Sequence, residues 1–139
     1  MHAFDFTRNQ YNSSVLLVHI LEQFKNYEGK IVGITGVDLF VPVLTYVVGE
    51  AQLDGKAVVV SAFRLDDALY GYPSNPELFI ERLTKETVHE VGHTFGLLHC
   101  ADYRCVMHSS TSGEEIDVKG NSFCAKCETA VKNGCNNNF

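Results

Sequence analysis

Three histidines within eleven consecutive residues limit the local structure of this chain more than any other part of its sequence, and they lie in the run HEVGHTFGLLH from His89 to His99. At about 100° per residue in an α-helix, His89 and His93 lie roughly 40° apart on one face, where two imidazoles can bind a single ion. Gly96 allows the chain to leave the helix in a left-handed conformation, so that His99 returns as a third nitrogen ligand. Three neutral imidazoles leave a fourth position for water, which is typical of a catalytic zinc site.

Two further residues extend this predicted site. Glu90 lies on the open side of the ion, where a carboxylate is typical of the general base of a metal-dependent hydrolase. Met107 follows His99 by eight residues, and it is either core filler or the methionine of a turn beneath the metal. The alternative for the whole run is an amphipathic helix with surface histidines and a solvated acid. The full spacing, including Gly96 and His99, makes that alternative a rare coincidence.

The five cysteines all lie between residues 100 and 135. Cys100 and Cys105 form one close pair, and Cys124 and Cys127 form a second pair after a loop, which is typical of a tetrahedral structural zinc site. Such a site would hold a segment that has too little apolar material to fold alone. Two disulfides and a redox Cys-x-x-Cys are the alternatives. Cys135 is left over, and we expect it to be a free thiol in a frayed tail.

Apolar periodicity and turn residues predict a small α/β or α+β domain. In chain order we expect a first helix capped by Ser13-Ser14 and ending near Lys25, a buried strand within residues 30–38, a hairpin of residues 44–50 and 57–63, a loop over residues 65–74, and a long helix from Asn75-Pro76 to Gly96. Beyond Cys100, Gly, Ser and Asn predominate, so this part is expected to be irregular.

The length of 139 residues predicts a single domain over residues 1–139. Within it, residues 1–99 hold the sheet and the histidine helix, residues 100–132 hold the methionine turn and the four-cysteine segment, and residues 133–139 are the frayed tail. A formal net charge of −6 argues against nucleic-acid binding. Since neither a membrane-length apolar run nor a signal pattern occurs, we expect a cytoplasmic protein without membrane contact. Nothing in the sequence indicates a coiled coil, so a monomer is expected.

With both sites in view, the chain resembles the archaemetzincins, a family of metzincin-clan zinc metallopeptidases. The resemblance depends on the histidine run followed directly by Cys100, on Cys105-x-Met107, and on Cys124-x-x-Cys127. The early segment around Ala3-Phe4-Asp5 is similar as well, so the likeness covers nearly the whole chain. Cysteine directly after the third histidine separates this family from other metzincins.

The resemblance implies a compact zincin fold, with a twisted mixed sheet, a long active-site helix and a zinc-stapled C-terminal segment. It also implies hydrolysis of peptide bonds in a peptide or protein substrate, with two zinc ions per chain, one catalytic and one structural. In this interpretation Glu90 is the general base and Met107 forms the floor beneath the catalytic zinc. An extended substrate is expected to pair with an edge strand within residues 44–53.

Two alternatives to a zinc endopeptidase stay open: an aminopeptidase acting on short peptides, and a zinc-binding module whose peptidase chemistry is idle or inhibited.

The chain also departs from the family pattern in two places. Sixteen residues separate Met107 from Cys124, about one fewer than usual. The strand that family members carry before Ala3-Phe4-Asp5 has no counterpart, so the sheet is one strand smaller or the N-terminus is trimmed.

Overall fold

The computed structural model describes residues 2–137 of the chain, with side chains described up to residue 134. The strands are β1 Phe4–Asp5, β2 Gln10–Asn12, β3 Ile31–Thr35, β4 Leu39–Phe40, β5 Gly49–Ala51 and β6 Ala57–Ser61. The α-helices are α1 Ser13–Gln23, α2 Pro76–Thr94, α3 Gly113–Val118 and α4 Ala125–Asn137, and two 3-10 helices span Phe63–Leu65 and Asp67–Tyr70. The mixed α+β class expected from the sequence is confirmed.

The strands form two small mixed sheets rather than one. The first has the order β1-β2-β4 and the second the order β3-β6-β5, and an isolated bridge pairs Leu39 of β4 with Val47, two residues before β5. In the second sheet β6 pairs parallel with β3 and antiparallel with β5. All five residues of β6 are buried, because α1 and α2 both pack on it, whereas β3 alternates between half-buried and exposed residues. The prediction of β3 as a buried strand was therefore wrong, since β3 lies at the sheet edge.

The first helix begins as the sequence indicates, but with a different cap. The Asn12 side chain accepts hydrogen bonds from the backbone N–H groups of Ser14 and Val15, so Asn12 is the N-cap rather than Ser13-Ser14. The hydroxyls of Ser13 and Ser14 instead donate to the Glu50 carboxylate on β5. These contacts tie the start of α1 to the second sheet.

The predicted hairpin is present in a shorter form, as β5 and β6. Residues 44 and 45, which were expected to begin the first strand of the hairpin, form a bend instead, because the Arg8 guanidinium donates to the backbone carbonyls of Pro42 and Leu44. The predicted loop over residues 65–74 contains the second 3-10 helix. β5 lies at the edge of its sheet, as the hairpin prediction requires.

The long helix α2 begins where the sequence predicts, with the Asn75 side chain accepting from the N–H of Leu78 and with proline in the first turn. Much of its buried face is polar. Arg82 pairs with both Asp67 and Asp117, which fastens α2 to the segment that follows the histidine run. This packing fixes the rotation of α2, so that the histidines face the cleft beside β5.

The C-terminal part is more regular than predicted, because it contains α3 and α4. Ser112 caps α3 by accepting from the N–H of Glu115, and the Glu115 carboxylate accepts from the N–H of Thr111. The backbone of residues 133–137 belongs to α4, so the frayed tail is wrong for these residues; residues 138–139 lie outside the described part. The predicted free thiol of Cys135 concerns a side chain outside the described set. None of the helices in residues 2–137 has the length and apolarity needed to span a bilayer.

Candidate metal centres

The structure brings the three histidines of the run together at one end of the cleft. His89 and His93 project from successive turns of α2, and Gly96, with a φ of +88°, turns the chain so that His99 returns to them. One donor atom from each of the three imidazoles lies within 4.8 Å of the others. His89 is buried, His93 half-buried and His99 exposed, so the group opens towards solvent on the His99 side.

The hydrogen bonds of the two helix histidines suit a metal ion. The Nδ1 atom of His89 lies 2.8 Å from the Val106 carbonyl, and Nδ1 of His93 lies 2.7 Å from the Leu97 carbonyl. Since a carbonyl only accepts, each Nδ1 carries the proton and each Nε2 presents a lone pair. The two Nε2 atoms face each other at 3.2 Å, an arrangement that a shared cation stabilises. Burial lowers the pKa of His89 to about 3, which keeps its ring neutral.

Met107 lies directly beneath this turn of α2. Its side chain is fully buried, in a cluster that includes Leu97, Val106 and Cys105. A Cβ atom at Gly92, between the two helix histidines, would overlap the Met107 sulfur. Glycine at this position therefore lets methionine approach the helix backbone between the two histidines.

Glu90 is 7% exposed and lines a cavity of about 170 Å³ together with His89 and His99. Burial raises the pKa of the Glu90 carboxyl to about 8, and the nearby carboxylates of Glu86 and Glu50 add to this rise. A Cβ atom at Gly49 on β5 would lie 3.0 Å from Glu90 Cγ and 2.8 Å from the Val59 carbonyl oxygen. The edge strand therefore reaches α2 closely only because residue 49 is glycine.

A buried ion pair lies one helical turn before Glu90, and the sequence reasoning missed it. Lys119 Nζ lies 3.0 Å from Glu86 Oε1, and neither side chain is more than 5% exposed. Lys119 also donates to the carbonyl of His108, just after Met107. Burial raises the pKa of Glu86, and the Lys119 charge opposes that rise. The spacing of Glu86 four residues before Glu90 places both carboxyls on one helix face, whereas no sequence signal indicates Lys119.

The four predicted cysteine ligands also converge. The sulfur atoms of Cys100, Cys105, Cys124 and Cys127 lie within 4.8 Å of one another, and none of them forms a disulfide. The sulfur of Cys105 accepts hydrogen bonds from the backbone N–H groups of Met107 and Cys124. The backbone N–H of Cys127 contributes most to lowering the pKa of Cys124 to about 7. This donor set has the composition of a closed, four-thiolate zinc site.

Short contacts connect the first cysteine ligand to the segment that carries Met107. The backbone N–H of Cys100 donates to the Met107 carbonyl at 3.0 Å. His108 Nδ1 donates to the Cys100 carbonyl at 2.8 Å. The segment that carries Met107 is thus fixed to the first cysteine ligand, so order in the cysteine cluster supports the floor beneath the histidines.

Comparison with known proteins agrees with this arrangement. A family model described as Peptidase family M54 matches residues 1–133. This chain belongs to peptidase family M54. Within the family, it is 39% identical over 127 residues to the archaemetzincin of Methanocaldococcus jannaschii, covering 91% of this chain and 69% of that protein. It is 43% identical over 126 residues to the archaemetzincin of Methanopyrus kandleri, covering 91% of this chain and 68% of that protein.

Solved structures show the same M54 fold. The crystal structure of archaemetzincin from Methanopyrus kandleri matches with a TM-score of 0.83 and 37% identity, covering 96% of this chain and 71% of that one. The crystal structure of a zinc-dependent peptidase from Methanocorpusculum labreanum matches with a TM-score of 0.86 and 30% identity, covering 94% of this chain and 79% of that one. The resemblance to the archaemetzincins and the class of zinc metallopeptidase expected from the sequence are therefore confirmed.

Proposed function

We propose that this chain hydrolyses peptide bonds with a catalytic zinc held by His89, His93 and His99 and with Glu90 as general base. The observation that supports this most directly is the convergence of the three histidines next to a cavity that His89 and His99 line together with Glu90, with both helix histidines oriented by backbone carbonyls. When bound there, zinc supplies a Lewis acid that polarises the scissile carbonyl and lowers the pKa of a water molecule.

The protein's own residues supply the proton transfers and the positioning. Glu90 accepts a proton from the attacking water at its carboxylate and then passes it to the leaving amine. Burial raises its pKa to about 8 in the metal-free protein, so its carboxylate is a stronger base than an exposed glutamate. Its position on α2 beside Gly49 places it between the histidines and the edge strand. Met107 supports the turn of helix on which His89 and His93 lie.

We propose a second, structural zinc held by Cys100, Cys105, Cys124 and Cys127, which makes two zinc ions per chain. Support comes from the convergence of the four sulfur atoms and from the N–H groups directed at Cys105. Four thiolate ligands leave no position for water, so this ion would only stabilise the fold. It would anchor α4 beside the histidine site.

The substrate in this proposal is an extended peptide that adds to the free edge of β5. Gly49, Glu50 and Ala51 pair with β6 on one side only. An edge strand presents unpaired N–H and C=O groups that an added strand can bind. Since β5 contacts α2 next to Glu90, a strand bound there would pass the histidines.

The test is zinc content measured together with cleavage of a peptide library, for the wild type, Glu90→Ala and the isosteric Glu90→Gln. We expect two zinc ions per chain in all three proteins and cleavage by the wild type alone. One zinc or none would contradict the two-site proposal, and equal cleavage by the variants would remove Glu90 from the mechanism. Full zinc content without cleavage in any of them would favour a binding module. Release of single N-terminal residues would favour an aminopeptidase.

A further inference from the structure

The cavity beside the histidines is lined by both apolar and polar residues. Its volume is about 170 Å³, equal to that of roughly six water molecules, at about 30 Å³ each. Leu44, Val47 and Val48 contribute apolar lining. The Tyr46 hydroxyl donates to the Thr111 carbonyl, and since both residues line the cavity, this bond joins its two walls. The space therefore suits one side chain with an apolar stem.

Among the polar residues that line the cavity, Glu86 and Ser110 have side-chain oxygens that the protein leaves incompletely satisfied. Glu86 is 3% exposed and lines the cavity, and its Oε1 has only the ion-pair contact with Lys119 Nζ, without a well-aligned hydrogen bond. Ser110 also lines the cavity, and its buried hydroxyl has no hydrogen-bond partner among the described residues. Buried polar groups are nearly always hydrogen-bonded, to protein or to water, so unsatisfied ones beside a cavity are atoms that a ligand could complete in place of water.

We propose that this cavity binds a substrate side chain with an apolar stem and a hydrogen-bond-donating tip, and that Glu86 and Ser110 determine this preference. The inference rests on the proposed peptidase function and specifies its substrate class. Glutamine and lysine side chains fit the description. Methionine has a similar stem without a donor, and glutamate has the shape of glutamine with acceptors only.

The charges around the cavity explain why a donor is favoured over an acceptor. The Glu86 and Glu90 carboxylates both line it, and the Lys119 ammonium is already held by Glu86 and the His108 carbonyl. A glutamate tip would place a further carboxylate beside them, while a donor tip would hydrogen-bond to Glu86. Hydrogen bonds to charged groups contribute enough to predict on the order of a tenfold or greater preference for a glutamine over a glutamate peptide.

The experiment uses zinc-loaded protein and N-acetylated peptides that differ only at one position, as glutamine, lysine, methionine or glutamate, placed on either side of the scissile bond. The ratios of kcat/KM are measured for the wild type, Glu86→Gln and Ser110→Ala, with Ser74→Ala as an exposed control. Binding of the same peptides to the zinc-loaded Glu90→Gln protein is measured by fluorescence polarisation. These ratios compare substrates within one protein, so a general loss of stability does not change them.

We expect kcat/KM to be highest for the glutamine and lysine peptides, lower for the methionine peptide and lowest for the glutamate peptide, at one position next to the scissile bond. The Ser110→Ala and Glu86→Gln substitutions should reduce the preference several-fold, while Ser74→Ala leaves it unchanged. Cleavage with equal ratios for all four peptides would overturn the inference and leave the peptidase proposal intact. Binding that depends on the side chain, without cleavage, would contradict the peptidase proposal and leave the side-chain inference intact. A preference that appears only with a free N-terminus would indicate that Glu86 and Ser110 bind a terminal amine, and it would contradict a side-chain pocket.

Discussion

Replacing Gly92 by alanine tests the packing of Met107 against the histidine helix. In a solvent-exposed helix interior the change would stabilise the protein by about 1 kcal/mol, because glycine is a poor helix former. Here the new Cβ atom would overlap the Met107 sulfur and lie 3.1 Å from both Met107 Cε and Phe123 Cε1. Overpacking of a filled core costs about 1–3 kcal/mol. The net expectation is a loss of about 1 kcal/mol instead of a gain.

A double-mutant cycle separates this contact from other effects of the substitution. Met107→Ala alone should cost about 2–5 kcal/mol, because it leaves a cavity beside a fully buried position. In the double variant the methyl group introduced by Gly92→Ala occupies part of that cavity, so the two changes together should cost about 1–3 kcal/mol less than their sum. The assay is urea unfolding of the zinc-loaded protein, followed by circular dichroism.

Zinc affinity, measured by competition with a chelator, gives a second observable. Displacement of Met107 should disturb the turn that carries His89 and His93, so the Gly92→Ala protein should release the zinc of the histidine site more easily. If Gly92→Ala instead stabilised the protein by the full helix-propensity gain, with additive energies in the cycle and unchanged zinc affinity, the close packing of Met107 under the helix would be refuted.

Lys119→Met should destabilise the protein by about 3–5 kcal/mol, because it leaves the buried Glu86 carboxylate without its partner; urea unfolding should show that adding Glu86→Leu recovers part of this loss, and a Lys119→Met protein as stable as the wild type would contradict the ion pair. Burial raises the pKa of Glu90 from 4.5 to about 8, so the folded zinc-free protein binds a proton there that the unfolded chain has released. Its melting temperature should therefore fall as the pH rises from about 4.5 to about 8, more steeply than in a zinc-free Glu90→Gln control, and parallel curves would show that Glu90 titrates normally. Cys105→Ser should lower the zinc content by one ion per chain and increase proteolysis after residue 107, since four thiolates are needed to close that site; an unchanged zinc content would remove Cys105 from the ligand set.

Local signals predicted the long helix and the donor sets well. Asn75-Pro76 begins α2 as expected, and Gly96 adopts the left-handed conformation that brings back His99. These features depend on contacts between residues close in sequence, where helix geometry and backbone sterics decide the outcome. The class of zinc metallopeptidase was predictable for the same reason, because the spacing of its candidate metal ligands lies within short stretches of the sequence.

Other elements depended on distant contacts and were predicted less well. The first strand of the hairpin was expected from residue 44, but Arg8 binds the carbonyls of Pro42 and Leu44 and holds this part of the chain outside the sheet. The segment after Cys100 looked irregular because Gly, Ser and Asn predominate in it, although Ser112 and Glu115 carry a capping signal that the sequence analysis did not use. The extent of the single domain and the roles of the site residues stay predictions.

The sequence by itself determined which side chains are candidate metal ligands, because imidazoles one helical turn apart and paired cysteines have few other uses at that spacing. Only the tertiary structure decided what surrounds them. Lys119 pairs with Glu86 from a segment more than thirty residues away, and Ser110 meets the edge strand across the cleft. Ligand spacing is a property of one helix or loop, whereas the charge and shape of a cavity arise from segments that meet only when the chain packs.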